Sequence, residues 1–326
     1  MKTQKLINTN LEVSNIIYGC MNLGEIWGDE PLTKEIIDKG LRAINTALDE
    51  GINFFDTADI YARGKSDLVF SEIFKQKPNL RDKIVIQTKC GIRFPGEPNP
   101  NSPHRFDFSY EHIINSVNES LKRLKTDYVD ILLLHRPDPL IEPEEVAKAF
   151  DELKTEGKVK YFGVSNHTAF QIQYLQKYLS TPLIVNQIEM NVVYTDLIDE
   201  GIVGSKKENL QKLTGGGTIE YCRMNNITLQ AWSPLAQGLP LKDENEIQEE
   251  RIKKTARKIN ELSKEKGVSK EAIAVAWLLR HPAKIQPVIG TRNPERIKAI
   301  CEANKIELTR EEWYQLYNAQ RIEPLP

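Results

Sequence analysis

The sequence predicts an α/β fold, a single (β/α)8 TIM barrel with a short N-terminal hairpin and extra C-terminal helices. Eight short apolar segments alternate with segments of helical periodicity, and strands separated by single helices must pair in parallel. No Gly-x-Gly-x-x-Gly motif follows any of these segments, which argues against an open dinucleotide-binding sheet. Because eight units favour closure and no linker marks a boundary, we expect residues 1–326 to form one domain.

The individual elements follow from apolar periodicity and from capping signals. A hairpin within residues 4–13 precedes the first strand, at residues 16–19, and the first helix spans residues 33–48, with Thr33 as its N-cap and Gly51 just past its end. The second strand ends at Asp56, and the other strands are predicted at residues 83–89, 128–134, 159–164, 183–187, 227–231 and 286–289. The other helices are predicted at residues 66–75, 109–125, 143–156, 169–178, 219–224, 251–266, 270–279, 294–303 and 310–318.

Composition excludes several classes of function. The chain has 326 residues, 40% of them hydrophobic, with a formal net charge of −2, so no basic surface recommends nucleic acid or an anionic membrane as a partner. Without a signal peptide or an apolar run of about 18 residues, we expect a cytoplasmic protein. The four cysteines lack CxxC spacing, so we expect reduced thiols and no structural metal.

Polar residues follow three successive strands at the point where each strand ends. Asp56 ends the second strand and leads to Tyr61, Lys89 ends the third, and His135 follows the fourth. Singly, each has an ordinary explanation: a helix-capping turn, a surface lysine or a buried histidine. In a barrel, however, the carboxyl ends of the strands converge on one mouth. Their shared position therefore predicts one site containing an acid, a phenol, an ammonium and an imidazole.

The same residues belong to motifs that resemble those of the aldo-keto reductases over residues 13–320. These motifs are DTADIY at 56–61, TK at 88–89, LH at 134–135 and GVSN at 163–166. The segments LLLHRPD at 132–138 and PVIGTR at 287–292, around the fourth and eighth strands, are most like the corresponding segments of bacterial oxidoreductases of the YdhF type. The resemblance implies an NADPH-dependent oxidoreductase that reduces aldehydes or ketones.

The chemistry of the four residues agrees with what the resemblance implies. Carbonyl reduction needs a hydride donor and a proton donor for the developing oxyanion, and Tyr61 is the candidate acid. An ammonium about 4 Å from the phenol oxygen stabilises the ionised phenol by roughly 4 kcal/mol. Lys89 is therefore expected to bring the pKa of Tyr61 near neutrality. Asp56 would hold Lys89 charged, and neutral His135 would orient the carbonyl.

No side chain supplies a hydride, so a cofactor is required, and the resemblance names NADPH. It assigns Ser165, Asn166 and Gln187 to the nicotinamide carboxamide and Trp232 to the nicotinamide ring, although Trp232 could equally be a core residue. The other expected cofactor-binding residues are Gly19, Cys20, Met21, Asp56, Ser233, Pro234, Leu235, Gly290, Thr291, Arg292 and Arg296. A 2′-phosphate would contact Thr291, Arg292 and Arg296, which on sequence alone could also be an exposed helix start.

The sequence departs from the family pattern at a few positions. Ala62 replaces the usual glycine after the tyrosine, Gly290 replaces a common lysine, and Ala299 and Ile300 replace a Glu-Asn pair directed at the adenine. The segments 91–105 and 190–217, the latter with a glycine run at 215–217, are expected to be substrate-side loops.

Three other functions are compatible with the sequence. A cofactor-sensing regulatory module would keep the same site but turn over little. A Schiff-base aldolase would use Lys89 as its nucleophile, and a metal hydrolase would use Asp56, Asp59 and His135. In each case the expected partner is a small molecule, which for a reductase is a carbonyl compound. We expect a monomer, with a homodimer as the alternative.

Overall fold

Eight parallel strands close into a barrel in the structure of this protein, a computed structural model that describes residues 1–203, 216–321 and 325. In chain order the barrel strands are β3 (Ile17–Gly19), β4 (Phe54–Asp56), β5 (Val85–Cys90), β8 (Val129–Leu134), β9 (Val159–Ser165), β10 (Leu183–Glu189), β11 (Thr228–Trp232) and β12 (Gln286–Ile289). Each barrel strand pairs with the next barrel strand along the chain, and β12 returns to pair with β3. The predicted barrel is therefore confirmed.

Two small antiparallel hairpins lie outside the barrel sheet. The first pairs β1 (Thr3–Lys5) with β2 (Glu12–Ser14), as predicted. Its Leu6 and Val13 pack against Ile17, Phe54 and Ile131 in an apolar cluster that includes no residue of the surrounding helices. The second hairpin pairs β6 (Ile92–Arg93) with β7 (Arg105–Phe106) inside the segment that was predicted as a substrate-side loop.

Helices surround the barrel. They are α1 (Lys34–Asp49), α2 (Lys65–Ser71), α3 (Ile73–Gln76), α4 (Tyr110–Leu124), α5 (Pro143–Thr155), α6 (Ala169–Gln176), α7 (Asp196–Val203), α8 (Thr218–Met224), α9 (Glu250–Lys266), α10 (Lys270–Leu279), α11 (Pro294–Cys301) and α12 (Arg310–Ala319). Short 3-10 helices span Tyr61–Gly64, Arg81–Lys83, Ala236–Leu241, Glu244–Glu246 and Glu302–Lys305. Thr33 caps α1 as predicted, because its side chain accepts a hydrogen bond from the backbone N–H of Ile36.

Two predicted segments have a different structure. The helix predicted at residues 66–75 is divided into α2 and α3, and the Ser71 hydroxyl at the end of α2 donates to the Leu68 carbonyl at 2.8 Å, which competes with helix continuation. The long connection at 190–217 contains α7, which was not predicted because so short a segment shows no clear helical periodicity in the sequence. Residues 204–215 of that connection, including Gly215, lie outside the described residues.

Most of the apolar core lies between the barrel and its helices. Close packing there depends on small residues, since a Cβ added at Gly40 of α1 would lie 2.4 Å from Cγ1 of Val69 on α2. All four cysteines are buried and unpaired within this fold. Among the described residues, no helix combines the length and apolarity that crossing a membrane requires.

Candidate active site

A buried ion pair stands at the carboxyl ends of β4 and β5. Lys89 Nζ lies 2.6 Å from Asp56 Oδ2, 2.9 Å from the Thr57 carbonyl oxygen and 3.0 Å from Tyr61 Oη. The two charged side chains are 0% and 2% exposed. Neighbouring parallel strands place Asp56 and Lys89 together, because Asp56 pairs in register with Gln87 and Lys89 lies two residues further along β5, on the same face. The predicted contact between acid, ammonium and phenol is therefore present.

The hydrogen-bond donors of Lys89 determine the direction of the Tyr61 proton. An ammonium has three N–H groups, and here two of them face oxygens that can only accept, on Asp56 and Thr57. The third N–H is directed at Tyr61 Oη, so the phenol oxygen accepts from Lys89. Its own proton must point elsewhere. Tyr61 and His135 line the same cavity, so that proton is free to face a ligand there.

The expectation that Lys89 brings the pKa of Tyr61 near neutrality is wrong for this structure. Burial raises the pKa of Tyr61 above its usual value of 10.0, Lys89 lowers it by less, and Asp56 raises it further. Asp56 stands on the other side of Lys89 and offsets part of the ammonium's effect. For Lys89, burial lowers the pKa, but the charges of Asp56 and Tyr61 outweigh it and the pKa is raised. The resting pair is thus a protonated phenol beside a charged lysine.

His135 completes the group at the end of β8. Its ring meets the Tyr61 ring edge to face, with centroids 5.9 Å apart, and its backbone N–H donates to the Cys90 carbonyl at 2.9 Å. Burial, together with the charges of Lys89 and Arg136, lowers its pKa well below 6.5, so the imidazole is neutral at pH 7. Nδ1 is buried without a hydrogen-bond partner among the described residues.

The backbone that carries Tyr61 turns sharply straight after it. Ala62 and Arg63 have φ values of 49° and 53°, and Gly64 has a φ of 81°. This left-handed region favours glycine, so Ala62, where the family pattern has glycine, holds a strained conformation. Close packing maintains it, because a Cβ added at Gly24 would lie 2.6 Å from the Ala62 side chain. The departure at Ala62 is accommodated with the tyrosine still in place.

A cavity of about 990 Å³ extends from Tyr61 across the mouth of the barrel, and its size suits a large ligand such as a dinucleotide. Of the residues predicted to bind cofactor, those on its wall are Gly19, Met21, Asp56, Ser165, Asn166, Gln187, Trp232, Ser233, Pro234, Leu235, Gly290, Thr291, Arg292 and Arg296. Cys20 is not on the wall: its side chain is buried, and burial raises the pKa of its thiol well above 9.0. Ile300 also lines this cavity.

The middle of the cavity carries the polar groups predicted to bind a carboxamide. Asn166 Nδ2 donates to the His135 carbonyl at 3.1 Å and to Ser165 Oγ at 2.9 Å, and Asn166 Oδ1 accepts from Trp232 Nε1 at 3.0 Å. The Ser165 hydroxyl donates to the Gln187 carbonyl at 2.8 Å. Hydrogen-bond donors and acceptors are therefore both present beside the indole of Trp232. A carboxamide whose ring stacks on an aromatic side chain requires such a set.

The far end of the cavity holds the two arginines. Arg292 forms an ion pair with Glu25, an acid from the loop after β3 that sequence reasoning missed. The hydrogen bond from Arg292 lowers the pKa of Glu25. Arg296 is in the first turn of α11, whose N-cap Asn293 accepts from its backbone N–H at 3.4 Å. Glu25 is thus the acid paired with Arg292, whereas Glu295 pairs with Lys298.

The chain is similar to known oxidoreductases over most of its length. The model of the Aldo/keto reductase family matches residues 15–320. A 6-dehydroglucose reductase of Agrobacterium fabrum is 37% identical over 312 residues, covering 95% of each chain, and the oxidoreductase YdhF of Escherichia coli is 34% identical over 284 residues, covering 85% of each. A glycerol dehydrogenase of Gluconobacter oxydans shares the fold, with a TM-score of 0.79 at 24% identity over 97% of this chain and 94% of its own. The chain is an oxidoreductase that belongs to the aldo/keto reductase family.

Proposed function

We propose that this protein reduces aldehydes or ketones to alcohols with NADPH, and that Tyr61 is the general acid. The observation that carries the proposal is the contact of 3.0 Å between Lys89 Nζ and Tyr61 Oη at the wall of the cavity. Because Lys89 donates to the phenol oxygen, the phenol proton is directed away from the lysine and is available to a carbonyl oxygen. Positioned acids of this kind contribute about 10²- to 10⁴-fold in rate.

The residues of the chain divide the work of the reaction. His135, neutral at pH 7, would donate to the carbonyl oxygen and orient it toward Tyr61. Lys89 would stabilise the tyrosinate that remains after proton transfer, since the ammonium already contacts Tyr61 Oη, and Asp56 would hold Lys89 in place. NADPH, when bound, supplies the hydride. Ser165, Asn166, Gln187 and Trp232 would hold its nicotinamide, and Thr291, Arg292 and Arg296 its 2′-phosphate.

The rival functions make different use of the same residues. A Schiff-base aldolase needs a neutral lysine, but the pKa of Lys89 is raised because Asp56 and Tyr61 outweigh the effect of burial. The metal hydrolase requires converging ligands, and no group of three His, Cys, Asp or Glu side chains suited to a metal occurs among the described residues. The cofactor-sensing module differs from a reductase only in turnover, so experiment must separate the two.

The test combines binding with turnover. Of the four tryptophans, Trp27 and Trp232 line the cavity, whereas Trp277 and Trp313 stack on each other with centroids 5.0 Å apart. We expect NADPH to quench fluorescence with a saturable curve, most of which Trp232→Phe removes and Trp313→Phe does not. Steady NADPH oxidation with small aldehydes, including the 6-dehydroglucose that the Agrobacterium relative is named for, supports the reductase. Tight binding without turnover would favour the sensing module.

The sequence also supports proposals on domain number, oligomeric state and location. We propose that residues 1–326 form one domain, that the protein is a monomer, and that it acts in the cytoplasm. Gel filtration of the intact chain tests the second proposal, because a homodimer would elute at about twice the mass of 37.3 kDa.

A further inference from the structure

Three glutamines from three different strands meet beneath Asp56 inside the barrel. Gln87 Nε2 lies 2.6 Å from Asp56 Oδ1 and 2.8 Å from Gln230 Oε1. Gln187 Nε2 lies 3.0 Å from each of the same two oxygens. Gln230 Nε2 in turn donates to Gln87 Oε1 at 3.2 Å. All three side chains are at most 2% exposed, so these hydrogen bonds do not compete with bulk water. We call Gln87, Gln187 and Gln230 the glutamine cluster.

The carboxylate of Asp56, which is paired with Lys89, determines the orientation of every amide in the glutamine cluster. A carboxylate only accepts hydrogen bonds, so Gln87 and Gln187 must both turn their NH₂ groups toward Oδ1. The remaining N–H of each then points at Gln230 Oε1, which forces the Gln230 NH₂ toward Gln87. Flipping one amide would set two oxygens, or two NH₂ groups, against each other. The cluster and the carboxylate therefore have one mutually consistent arrangement.

This arrangement divides the two oxygens of Asp56 between different tasks. Oδ1 accepts from the glutamine cluster, and Oδ2 accepts from Lys89 at 2.6 Å. The two amides prevent the carboxylate from rotating about its terminal bond, so Oδ2 stays directed at the lysine. Lys89 in turn contacts Tyr61 Oη. A continuous chain of hydrogen bonds thus runs from Gln230 through Gln87 and Asp56 to Lys89 and the phenol.

We propose that Gln87 and Gln230 are positioning residues for the general acid: they hold Asp56 so that Lys89 is aimed at Tyr61. Neither residue contacts the cavity, and neither belongs to the motifs at the strand ends. The inference rests on the proposed role of Tyr61. It adds that polar side chains directed into the barrel below the strand ends support the general acid. Apolar core residues could fill the same space but could not hold Asp56. Gln187 connects the cluster to the cavity, because its side chain is part of the cavity wall.

The test is Gln87→Met, with Gln286→Met as the matched control. Methionine has the length of glutamine and adapts to the same space, but it cannot donate to Asp56. Gln286 is equally buried on β12, yet its NH₂ bonds the Ser14 carbonyl at 3.1 Å and does not reach Asp56. We expect kcat for aldehyde reduction to fall at least about 10-fold in Gln87→Met, with NADPH affinity within about twofold of wild type.

A second measurement does not require turnover. The free energy of unfolding lost in Gln87→Met should shrink when Asp56 is replaced by asparagine, because an amide oxygen is a weaker acceptor than a carboxylate. The loss in Gln286→Met should be the same in both backgrounds. If Gln87→Met does not fold, Gln230→Met is measured instead, with the same expected dependence on Asp56 and a smaller loss of kcat.

The outcomes are decisive in both directions. An unchanged kcat in Gln87→Met, a stability loss that is the same with asparagine at position 56, or equal effects in Gln286→Met would overturn the positioning role. Non-additive effects in the Gln87→Met, Gln230→Met double variant would support it, since both act through one carboxylate. A wild-type protein without carbonyl reduction would contradict the proposed function instead, and the stability measurement would still decide whether the cluster holds Asp56.

Discussion

The two ends of the cavity hold their charges in opposite ways. At the end with Tyr61, the proposed catalytic end, the ion pair of Lys89 and Asp56 is almost completely buried, with side chains 0% and 2% exposed. At the arginine end, the ion pair of Arg292 and Glu25 has side chains 26% and 39% exposed. The first pair has further hydrogen bonds to Gln87, Gln187 and the Thr57 carbonyl. The second consists of two side chains on neighbouring loops that face solvent.

This difference shows which interactions are set before a ligand arrives and which can change partner. Breaking a buried pair leaves a charge in a medium of low dielectric, which costs several kcal/mol, so the catalytic end is preorganised. An exposed pair contributes about 0–1 kcal/mol, so an anionic ligand can displace Glu25 from Arg292 at little cost. We expect the chemistry to depend on the first pair and the choice of cofactor to depend on the second.

The largest effect is expected from removing the phenol oxygen at the catalytic end. Tyr61→Phe should lower carbonyl reduction by at least about 10²-fold, because only the proton donor is lost. NADPH affinity, measured by fluorescence titration, should stay near that of wild type. Tyr174→Phe, on the exposed face of α6, is the control and should be fully active. Near-native turnover of Tyr61→Phe with an aldehyde would contradict the assignment of the acid.

Breaking the buried ion pair should affect both rate and stability. Lys89→Met leaves Asp56 buried without its cation, which should reduce the free energy of unfolding by about 3–5 kcal/mol, and kcat should fall with a changed pH profile. Asp56→Asn should also lower kcat. The double variant removes both charges and should regain much of the stability without the rate. An active Lys89→Met enzyme with the wild-type pH profile would mean that the lysine does not tune the phenol.

Acid should destabilise the catalytic end through His135. Its pKa is well below 6.5 in the folded state, because burial and the charges of Lys89 and Arg136 disfavour the imidazolium. The unfolded chain therefore binds more protons below pH 6.5, and stability falls as the pH decreases from about 6.5. His135 alone accounts for about 2 kcal/mol between pH 7 and 5. Urea unfolding at the two pH values should show a smaller difference in His135→Gln, whereas an unchanged difference would remove His135 as the cause.

At the exposed end, the expected effects are on cofactor preference. We expect wild-type protein to bind NADPH more tightly than NADH, and Arg292→Ala to narrow the ratio of dissociation constants roughly tenfold, equivalent to about 1.5 kcal/mol for one charge-assisted contact. Arg310→Ala, exposed at the start of α12, should leave the ratio unchanged. Equal affinity of wild type for the two nucleotides, measured at one low salt concentration, would refute the proposed preference.

The smallest effect is expected at Glu25. If Glu25 competes with a 2′-phosphate for Arg292, Glu25→Gln should tighten NADPH binding up to roughly fivefold, in line with the 0.2–1 kcal/mol of an exposed ion pair, and leave NADH nearly unchanged. Glu30→Gln, an exposed acid in the same loop, is the control. The effect should disappear when Arg292 is alanine. A gain that persists in Glu25→Gln, Arg292→Ala would show that Glu25 acts through another group.

The sequence by itself determined the barrel and which polar residues gather at its mouth. Alternating apolar and amphipathic segments require parallel strands with crossover helices, and closure then brings strand ends together whatever the details of packing. Asp56, Lys89 and His135 could therefore be placed at one mouth, and the motif around Asp56 placed Tyr61 with them. The predicted strand boundaries differ from the structure by at most three residues, because buried strands are bounded abruptly by polar residues.

Only the tertiary structure decided the interactions between residues far apart in the chain. Glu25 meets Arg292 across 267 positions, and Gln87 meets Gln230 across 143, so neither pair forms a local pattern. The pKa of Tyr61 likewise depends on how far Asp56 offsets Lys89, which is a matter of ångströms and of burial rather than of residue type. Periodicity determines which face of a strand each side chain occupies. The partner that this side chain contacts across the barrel depends on strand register, on rotamers and on the exclusion of water.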